Sequence, residues 1–260
     1  MGDQVVFRRT VCHCCLSNYR SSALLVPGFG GRPLVIDDAR PVAEGNLEFE
    51  LGFVQSLPEK GGRDQQFPVM AATYGLYKGL EVGLGIQRTN TDLKGDPPVE
   101  GFQDLHLATK YNFLPGEFYD FSFAFDLKVP TANRHRGLTS GKFDESFVFI
   151  ATKHFFPAAV DLNLGYTVVG RRAGEKLQNR FLGGMALRYG LNERWRLVGD
   201  IYGLSRAARG DKIEATFQVG IRFRPDLPVF FDAAIGRSLL PSGTRIQGTL
   251  GLTWSRALNF

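Results

Sequence analysis

The chain has 260 residues, of which 43% are hydrophobic, and a mean hydropathy of -0.11, averages that do not separate soluble from membrane proteins. No stretch approaches the roughly 18 to 20 consecutive apolar residues of a membrane-spanning helix, although the weaker, alternating signal of a transmembrane β-barrel is not excluded. The net charge is +5, but Lys and Arg are interleaved with Asp and Glu along the chain, which argues against a nucleic-acid partner.

Composition favours strands over helices and argues against bound metal. The chain contains 31 Gly, 22 Phe and 8 Tyr, which is typical of a β-rich protein. Its 3 cysteines, Cys12, Cys14 and Cys15, all lie near the start. The rest of the chain therefore cannot form a disulfide framework or a thiolate zinc site, and we expect no metal and no cofactor.

The N-terminal region has several interpretations. Arg8 and Arg9 precede an apolar run that Asn18 interrupts, so residues 1–31 are a degenerate signal peptide, the result of a misassigned start, or a disordered leader. Residues 32–44, which include Asp37 and Asp38, are a periplasmic segment or a plug that enters a barrel, and a disordered leader is the simpler account.

From residue 45 to the end, apolar and polar residues alternate with a period of two, between clusters of Gly, Pro, Asn and Asp. The clearest alternating segments are 47–53, 80–87, 104–113, 119–129, 160–166, 194–201, 213–223 and 245–254. Three further segments, 66–77, 144–155 and 229–237, are partly apolar on both faces. The pattern predicts about twelve strands.

The connections between these segments alternate in length. Short connections are predicted at 78–79, 114–117, 156–157, 190–193 and 224–228. Generally longer ones are predicted at 57–65, 89–100, 131–143, 170–180, 206–211 and 240–244. Short periplasmic turns and longer outer loops are typical of outer-membrane barrels. We therefore predict an all-β protein, an antiparallel up-and-down transmembrane β-barrel over residues 45–260, in the outer membrane of a Gram-negative bacterium.

Large aromatic residues cluster beside the short connections and the chain end, where a girdle at the periplasmic membrane interface would need them. The predicted girdle consists of Tyr77, Tyr111, Phe113, Tyr119, Phe155, Tyr189, Trp195, Phe223 and Trp254. Outer-membrane lipid is the partner that this girdle implies.

If the apolar faces meet lipid, the charged faces must line the interior, because Arg or Lys at the lipid midplane costs about 2–4 kcal/mol. The predicted lumen-lining residues are Glu48, Glu50, Asp104, His106, Lys110, Asp120, Asp126, Lys128, Asp161, Arg188, Arg196, Asp200, Arg222, Asp232 and Arg245. They form either a selectivity lining or, as we favour for most of them, an ion-pair network that supports the wall. Twelve strands leave room for a narrow pore.

The leading functional prediction is passive diffusion of small molecules through this pore, without a catalytic site. One alternative is a structural or adhesive barrel that displays loops 89–100 and 131–143 without conducting. Another is a lipid-active enzyme, for which His106, with Asp104 to orient it, is the best residue. No nucleophile-elbow motif surrounds any serine, so catalysis is disfavoured.

Several stretches resemble the family described as the outer-membrane component of a MetA pathway of phenol degradation. They are Arg32–Ala39, Asp104–Tyr111, Leu127–Thr131, Leu191–Asp200 and Phe231–Arg237. The resemblance covers residues 32–254 and implies an outer-membrane barrel that passes small compounds, including aromatic ones. It brings no catalytic residues.

The terminal Phe260 is similar to the C-terminal aromatic residue by which the barrel assembly machinery recognises outer-membrane proteins. Leu258 and Trp254 lie in phase with it, but Arg256 breaks the alternation. A strand that ends near Trp254, followed by a frayed tail, is the alternative.

Overall fold

The computed structural model describes residues 32–59, 61–208, 210–241 and 244–258. Nearly all regular structure in this part is strand. The strands are β1 (Asn46–Pro58), β2 (Gly62–Tyr77), β3 (Leu80–Leu93), β4 (Val99–Phe102), β5 (Leu105–Leu114), β6 (Tyr119–Val129), β7 (Asp144–Phe155), β8 (Ala158–Val168), β9 (Arg180–Gly190), β10 (Trp195–Leu204), β11 (Glu214–Phe223), β12 (Val229–Ser238) and β13 (Thr244–Ala257). A short 3₁₀ helix spans Arg134–Arg136, and no helix among the described residues is long and apolar enough to cross a membrane.

The strands form one closed antiparallel sheet. Apart from β4 and β5, each strand pairs with its neighbours in the chain, and β1 also pairs with β13, which closes the barrel. Both β4 and β5 pair with β3, so they act as two halves of one strand interrupted at Gln103 and Asp104. The predicted fold, an antiparallel barrel of twelve strands, is confirmed.

The faces of the wall are inverted relative to a soluble protein. Along β6, Asp120, Ser122 and Asp126 are buried, whereas Phe123 is 44% exposed on the outside. The other strands repeat this arrangement, with buried polar residues inside and exposed apolar residues outside. A wall of this kind is stable where its outer face meets hydrocarbon, because all backbone groups pair within the sheet.

Two predicted loops are wrong. Segment 57–65 is mostly strand, because β1 runs to Pro58 and β2 begins at Gly62. Segment 89–100 contains the end of β3, a turn and the start of β4. The outer faces here carry polar residues such as Gln65 and Asn90, so the hydrophobic alternation that marks the other strands is absent although backbone pairing continues.

A bulge interrupts β2 next to the cavity side of the wall. Gln66 lies opposite Val54 of β1 and Thr89 of β3, while Val69 lies opposite Gly52 and Gln87, so β2 contains one extra residue between these positions. Pro68 lies within the bulge and lacks a backbone N–H, which suits a site where ladder pairing is broken.

Candidate functional site

Residues 32–44, called the inner segment below, lie inside the barrel. At its C-terminal end, Gly45 N donates to the Gly75 carbonyl at 2.9 Å, and Val42 N donates to Glu81 Oε2 at 2.5 Å. Further along, Ala39 N donates to Thr152 Oγ1 at 2.9 Å. The side chains of Glu81 and Thr152 are almost completely buried, so the segment occupies the interior and not the outer surface.

The segment follows the wall around the lumen. From Val42 back to Arg32, its contacts move from β3 through β5, β6, β7 and β8 to β10, β11, β12 and β13. In the second half of this path, Asp37 N donates to Asn163 Oδ1 at 2.8 Å and Val35 N donates to Asp200 Oδ2 at 2.7 Å. The segment thus forms most of a ring parallel to the barrel's circumference.

Wall side chains replace the hydrogen bonds that a strand partner would give this backbone. Asn112 Nδ2 and Ser122 Oγ both donate to the Ala39 carbonyl, and Asn163 Nδ2 donates to the Asp37 carbonyl at 2.9 Å. Buried backbone groups require such partners, because an unpaired one costs as much free energy as a lost hydrogen bond. The polar inner face of the barrel is therefore needed to hold a segment without secondary structure.

Ion pairs add to this attachment. Lys110 Nζ lies 2.9 Å from Asp37 Oδ2 and 3.4 Å from Glu81 Oε1, and its side chain is 1% exposed. Arg188 contacts Asp38 Oδ2 at 2.9 Å and Asp161 Oδ2 at 2.7 Å. Both wall cations therefore bridge an acidic residue of the inner segment and an acidic residue of the wall.

The two arginines of the segment contact different parts of the wall. Arg40 Nε lies 2.7 Å from Asp120 Oδ2, which also accepts a hydrogen bond from His154 if that ring is protonated at Nε2, at 2.7 Å. At the start of the segment, Arg32 Nη2 donates to Thr249 Oγ1 and to the Leu250 carbonyl, both at 2.9 Å. The Arg32 side chain occupies the space beside Gly52 and Gly251, where any Cβ atom would collide with its guanidinium group.

Loop 130–143, which joins β6 and β7, folds over the end of the interior that lies away from the short turns. Leu138 and Thr139 of this loop are buried, and Leu138 packs against Gly101. Asp104 accepts hydrogen bonds from Thr139 Oγ1 at 2.5 Å and from Ala132 N at 3.0 Å. The loop is therefore tied to the inner wall.

A cavity of about 110 Å³ lies between the inner segment and the wall. A single water needs about 10–15 Å³ of such space, so the cavity has room for more than one water or for a small organic molecule. Much of its lining is apolar, and the apolar lining residues are Pro33, Leu34, Val35, Val54, Val69, Ala71, Ala124, Val148, Ile150 and Leu182. Polar and charged residues line the remainder, namely Arg32, Asp37, Glu50, Gln66, Gln87, Asn163, Gln218, Gln247 and Thr249.

The predicted lumen-lining residues all lie in phase with the inner face. Seven of them belong to the network around the inner segment. Five contact the segment directly, namely Lys110, Asp120, Arg188, Asp200 and Asp232. Asp161 binds the same Arg188 cation as Asp38 of the segment, and Glu50 interacts electrostatically with Arg32. Asp104, His106, Asp126 and Lys128 form contacts nearer the loop 130–143 end. Glu48 and Arg222 are half-buried, and Arg196 and Arg245 are exposed at the two ends of the lumen. Whether this lining selects solutes stays a prediction.

The structure corrects the expected partner of His106, which is Asp126 and not Asp104. Its Nδ1 lies 2.9 Å from Asp126 Oδ1, whereas Asp104 contacts Lys128, Thr139 and Ala132 instead. Asp104 and His106 point the same way on β5, but the facing strand β6 offers a nearer carboxylate, since Lys128 lies directly opposite His106 and Asp126 is one inward position away.

Sequence reasoning missed several residues that bind the inner segment. Glu81, Thr152, Asn163, Gln218 and Thr249 all lie on the polar face of alternating strands, so their phase was a usable signal. Arg32 carried no such signal, because its partners depend on the path of a segment without periodicity.

The aromatic residues of the predicted girdle lie at one end of the barrel, beside its short turns. Tyr77, Tyr111, Phe113, Tyr119, Phe155, Tyr189 and Trp195 are exposed, and Phe223 and Trp254 are partly exposed. Trp195 and Phe223 lie on paired strands with ring centroids 4.4 Å apart. The membrane position of this girdle remains a prediction, and residues 1–31 and Phe260 lie outside the described residues.

In the described ranges, no group of three or more His, Cys, Asp or Glu side chains is arranged to hold a metal ion. The chain matches no protein-family model and no curated protein sequence, so the resemblance to the MetA-pathway family rests on its short motifs.

Solved structures do resemble the chain. The COG4313 outer membrane channel from Pseudomonas putida F1 superimposes with a TM-score of 0.70 at 14% identity, over 84% of this chain and 98% of that one. The KdgM porin has a TM-score of 0.54 at 7% identity, over 79% and 98% of the two chains. The KdgM porin in complex with disordered oligogalacturonate has a TM-score of 0.53. At these identities the likeness shows the fold, which is the closed β-barrel of outer-membrane channels and porins.

Proposed function

We propose that the protein is an outer-membrane channel that passes small, mainly apolar molecules by diffusion, and that the inner segment narrows its pore. The ring that the inner segment forms along the wall, from β3 to β13, carries this proposal. A structural or adhesive barrel needs no chain segment in its lumen, whereas a channel can use one to limit the size of its solutes.

The lining of the cavity supports the apolar solute class. Leu34 and Val35 of the inner segment face wall residues such as Val54 and Ile150 across the cavity. Apolar surface of this kind favours solutes that bury their own apolar area, at about 25 cal/mol per Å². The motifs shared with the MetA-pathway family point to the same class of small, including aromatic, compounds.

Conductance measurements test the channel. Purified protein in planar bilayers should give small single-channel currents, and a variant that lacks residues 32–42 should give larger ones because the ring is removed. Benzyl alcohol should reduce the current of the full chain more than glycerol at equal concentration. Heat-modifiable migration in gels serves as the control for correct folding of both proteins.

Three results would count against the proposal. The channel function is wrong if neither folded protein conducts. The role of the inner segment is wrong if the deletion leaves the current unchanged, and the apolar solute class is wrong if glycerol and benzyl alcohol reduce it equally.

A further inference from the structure

Three arginines gather on the inner face of the wall at the short-turn end of the barrel. Arg196 on β10 lies directly opposite Arg222 on β11, and both positions are in phase with the buried inner residues of their strands. Arg224 lies two residues beyond Arg222 and continues the same face, where its backbone N–H still pairs with the Arg194 carbonyl at 2.8 Å. Like charges directly opposite each other destabilise a pair of strands, so this arrangement requires an explanation.

The wall does not supply carboxylates to these arginines. None of the three guanidinium groups forms an ion pair with an acidic side chain in the part of the chain that the structure describes. Asp232 lies opposite Arg222 on β12, but its carboxylate contacts Arg32 at 3.5 Å, and Glu48 attracts Arg222 only through space. Arg188, the next cation of the inner face, contacts two carboxylates by contrast. The three arginines therefore form a locally positive cluster.

An aromatic ring lies beside this cluster. The guanidinium carbon of Arg222 is 5.8 Å from the centroid of the Phe230 ring, and that of Arg224 is 5.4 Å from it. Both distances lie within the roughly 6 Å range of a cation–π interaction, so one ring holds two cations near each other. Arg196 and Arg224 are exposed and Phe230 is half-buried. The cluster is therefore open to a solute, unlike the enclosed Lys110.

The chemistry of the cluster defines a matching ligand. A carboxylate accepts two parallel hydrogen bonds from a guanidinium group, and its charge would offset the repulsion between Arg196 and Arg222. A flat apolar body attached to this carboxylate can pack against the Phe230 ring, because aromatic rings attract each other in offset and edge-to-face arrangements. A small organic anion with an aromatic ring has both features.

We propose that Arg196, Arg222 and Arg224, together with Phe230, form a binding site for a small aromatic carboxylate at the short-turn end of the lumen. The proposal rests on the proposed channel function only in taking this anion as a solute that passes through the barrel. The site itself is a statement about binding, and it is tested without any measurement of transport.

The test compares para-fluorobenzoate with para-fluorobenzamide, which has nearly the same shape but no charge. Fluorine NMR titration of the full chain in uncharged detergent micelles measures both affinities, and micelles without protein correct for partition into detergent. Hydrogen bonds to charged groups are stronger than those between neutral groups, so the benzoate should bind roughly tenfold to a hundredfold more tightly than the benzamide.

Variants assign this preference to the arginines. R196Q and R222Q each remove one guanidinium group, and each should lower the preference for the benzoate by about tenfold, toward equal binding. R196Q also removes a like-charge pair, so the barrel should fold normally, and heat-modifiable migration in gels verifies this. R245Q is the matched control, because it makes the same change of charge at an exposed inner-face position near the other end of the lumen. It should leave the preference unchanged.

Displacement tests the aromatic part of the ligand. Acetate carries a carboxylate without a ring, so it has no apolar body to pack on Phe230. It should displace para-fluorobenzoate only at a concentration roughly tenfold higher than benzoate requires.

Equal binding of the two fluorinated probes to the unmodified protein would overturn the proposal, and this result needs no variant to fold. A preference that survives in both R196Q and R222Q, or that R245Q abolishes as well, would overturn the assignment to these arginines. Equal displacement by acetate and benzoate would overturn the aromatic class of ligand. Failure of the channel function is a separate result, since para-fluorobenzoate would then bind with the expected preference to a protein that gives no current in planar bilayers.

Discussion

Lys110 shows how the inner segment depends on single residues. This lysine is enclosed between Asp37, Glu81 and the Asp38 carbonyl, so its charge is compensated on several sides. A buried ion pair adds little net stability when it is complete, but removal of one partner leaves an uncompensated charge inside the protein.

K110M should therefore lower the free energy of unfolding by about 3–5 kcal/mol, because it leaves the Asp37 and Glu81 carboxylates without their cation. Denaturant titration in micelles, followed by circular dichroism, measures the change. K78M is the control, since Lys78 is exposed in a turn and its loss should cost less than about 0.5 kcal/mol. Similar losses in the two variants would show that Lys110 is not a special attachment point.

A substitution at Gly52 can test whether the Arg32 side chain limits the pore. A Cβ atom at residue 52 would collide with the Arg32 guanidinium, so G52A should move this side chain off Thr249 and the Leu250 carbonyl. The loss of these two hydrogen bonds should lower stability by about 1–3 kcal/mol, and the freed side chain should increase single-channel conductance. The control G248A should change neither quantity, because a Cβ atom there meets only the Ala234 carbonyl oxygen at 4.0 Å. Unchanged conductance in G52A would mean that Arg32 does not limit the pore.

At the level of the strand, the outer face defines the environment of the barrel. Leu164 lies in the middle of β8 and is 55% exposed, although it is surrounded by other apolar residues. Leu239 is 52% exposed but directly follows the end of β12. The two residues differ in their distance from the strand ends and not in their exposure.

In lipid vesicles, L164R should lower the free energy of unfolding by about 2–4 kcal/mol, whereas L239R should cost about 0–1 kcal/mol, because the penalty for arginine depends on depth in the bilayer. Unfolding by denaturant, monitored by tryptophan fluorescence, gives both values. Equal costs at the two positions would argue against a membrane around this wall.

The strands illustrate what sequence reasoning could and could not predict. Alternation along segments such as 119–129 predicted the strands and their inward faces, because the period of two is set locally by the backbone. The polar strand ends around Gln65 and Asn90 were missed, since there the outer face is polar as well. The path of the inner segment could not be predicted, because each of its contacts joins residues far apart in the chain, such as Asp37 and Asn163.

At the level of the whole molecule, the aromatic girdle predicts how the barrel sits in a bilayer. The chain has 2 tryptophans, Trp195 and Trp254, and both belong to the predicted girdle. Their fluorescence therefore reports the depth of one end of the barrel.

In vesicles that contain brominated lipids, bromine near the headgroups should quench this fluorescence more than bromine near the ends of the acyl chains, because tryptophan is enriched at the membrane interface. W195F separates the signals of the two residues. Stronger quenching from the ends of the acyl chains would place this end of the barrel in the hydrocarbon core and contradict the girdle.

The position of Arg32 has a consequence for the closure of the barrel. The joint between β1 and β13 connects the first and last strands of the sheet, which are farthest apart in the chain. Arg32 lies against Gly52 on one side of this joint and Gly251 on the other, and it also reaches Asp232 on β12. The Arg32 side chain therefore contacts both strands of the pair that closes the barrel, and these contacts can form only once the barrel is complete.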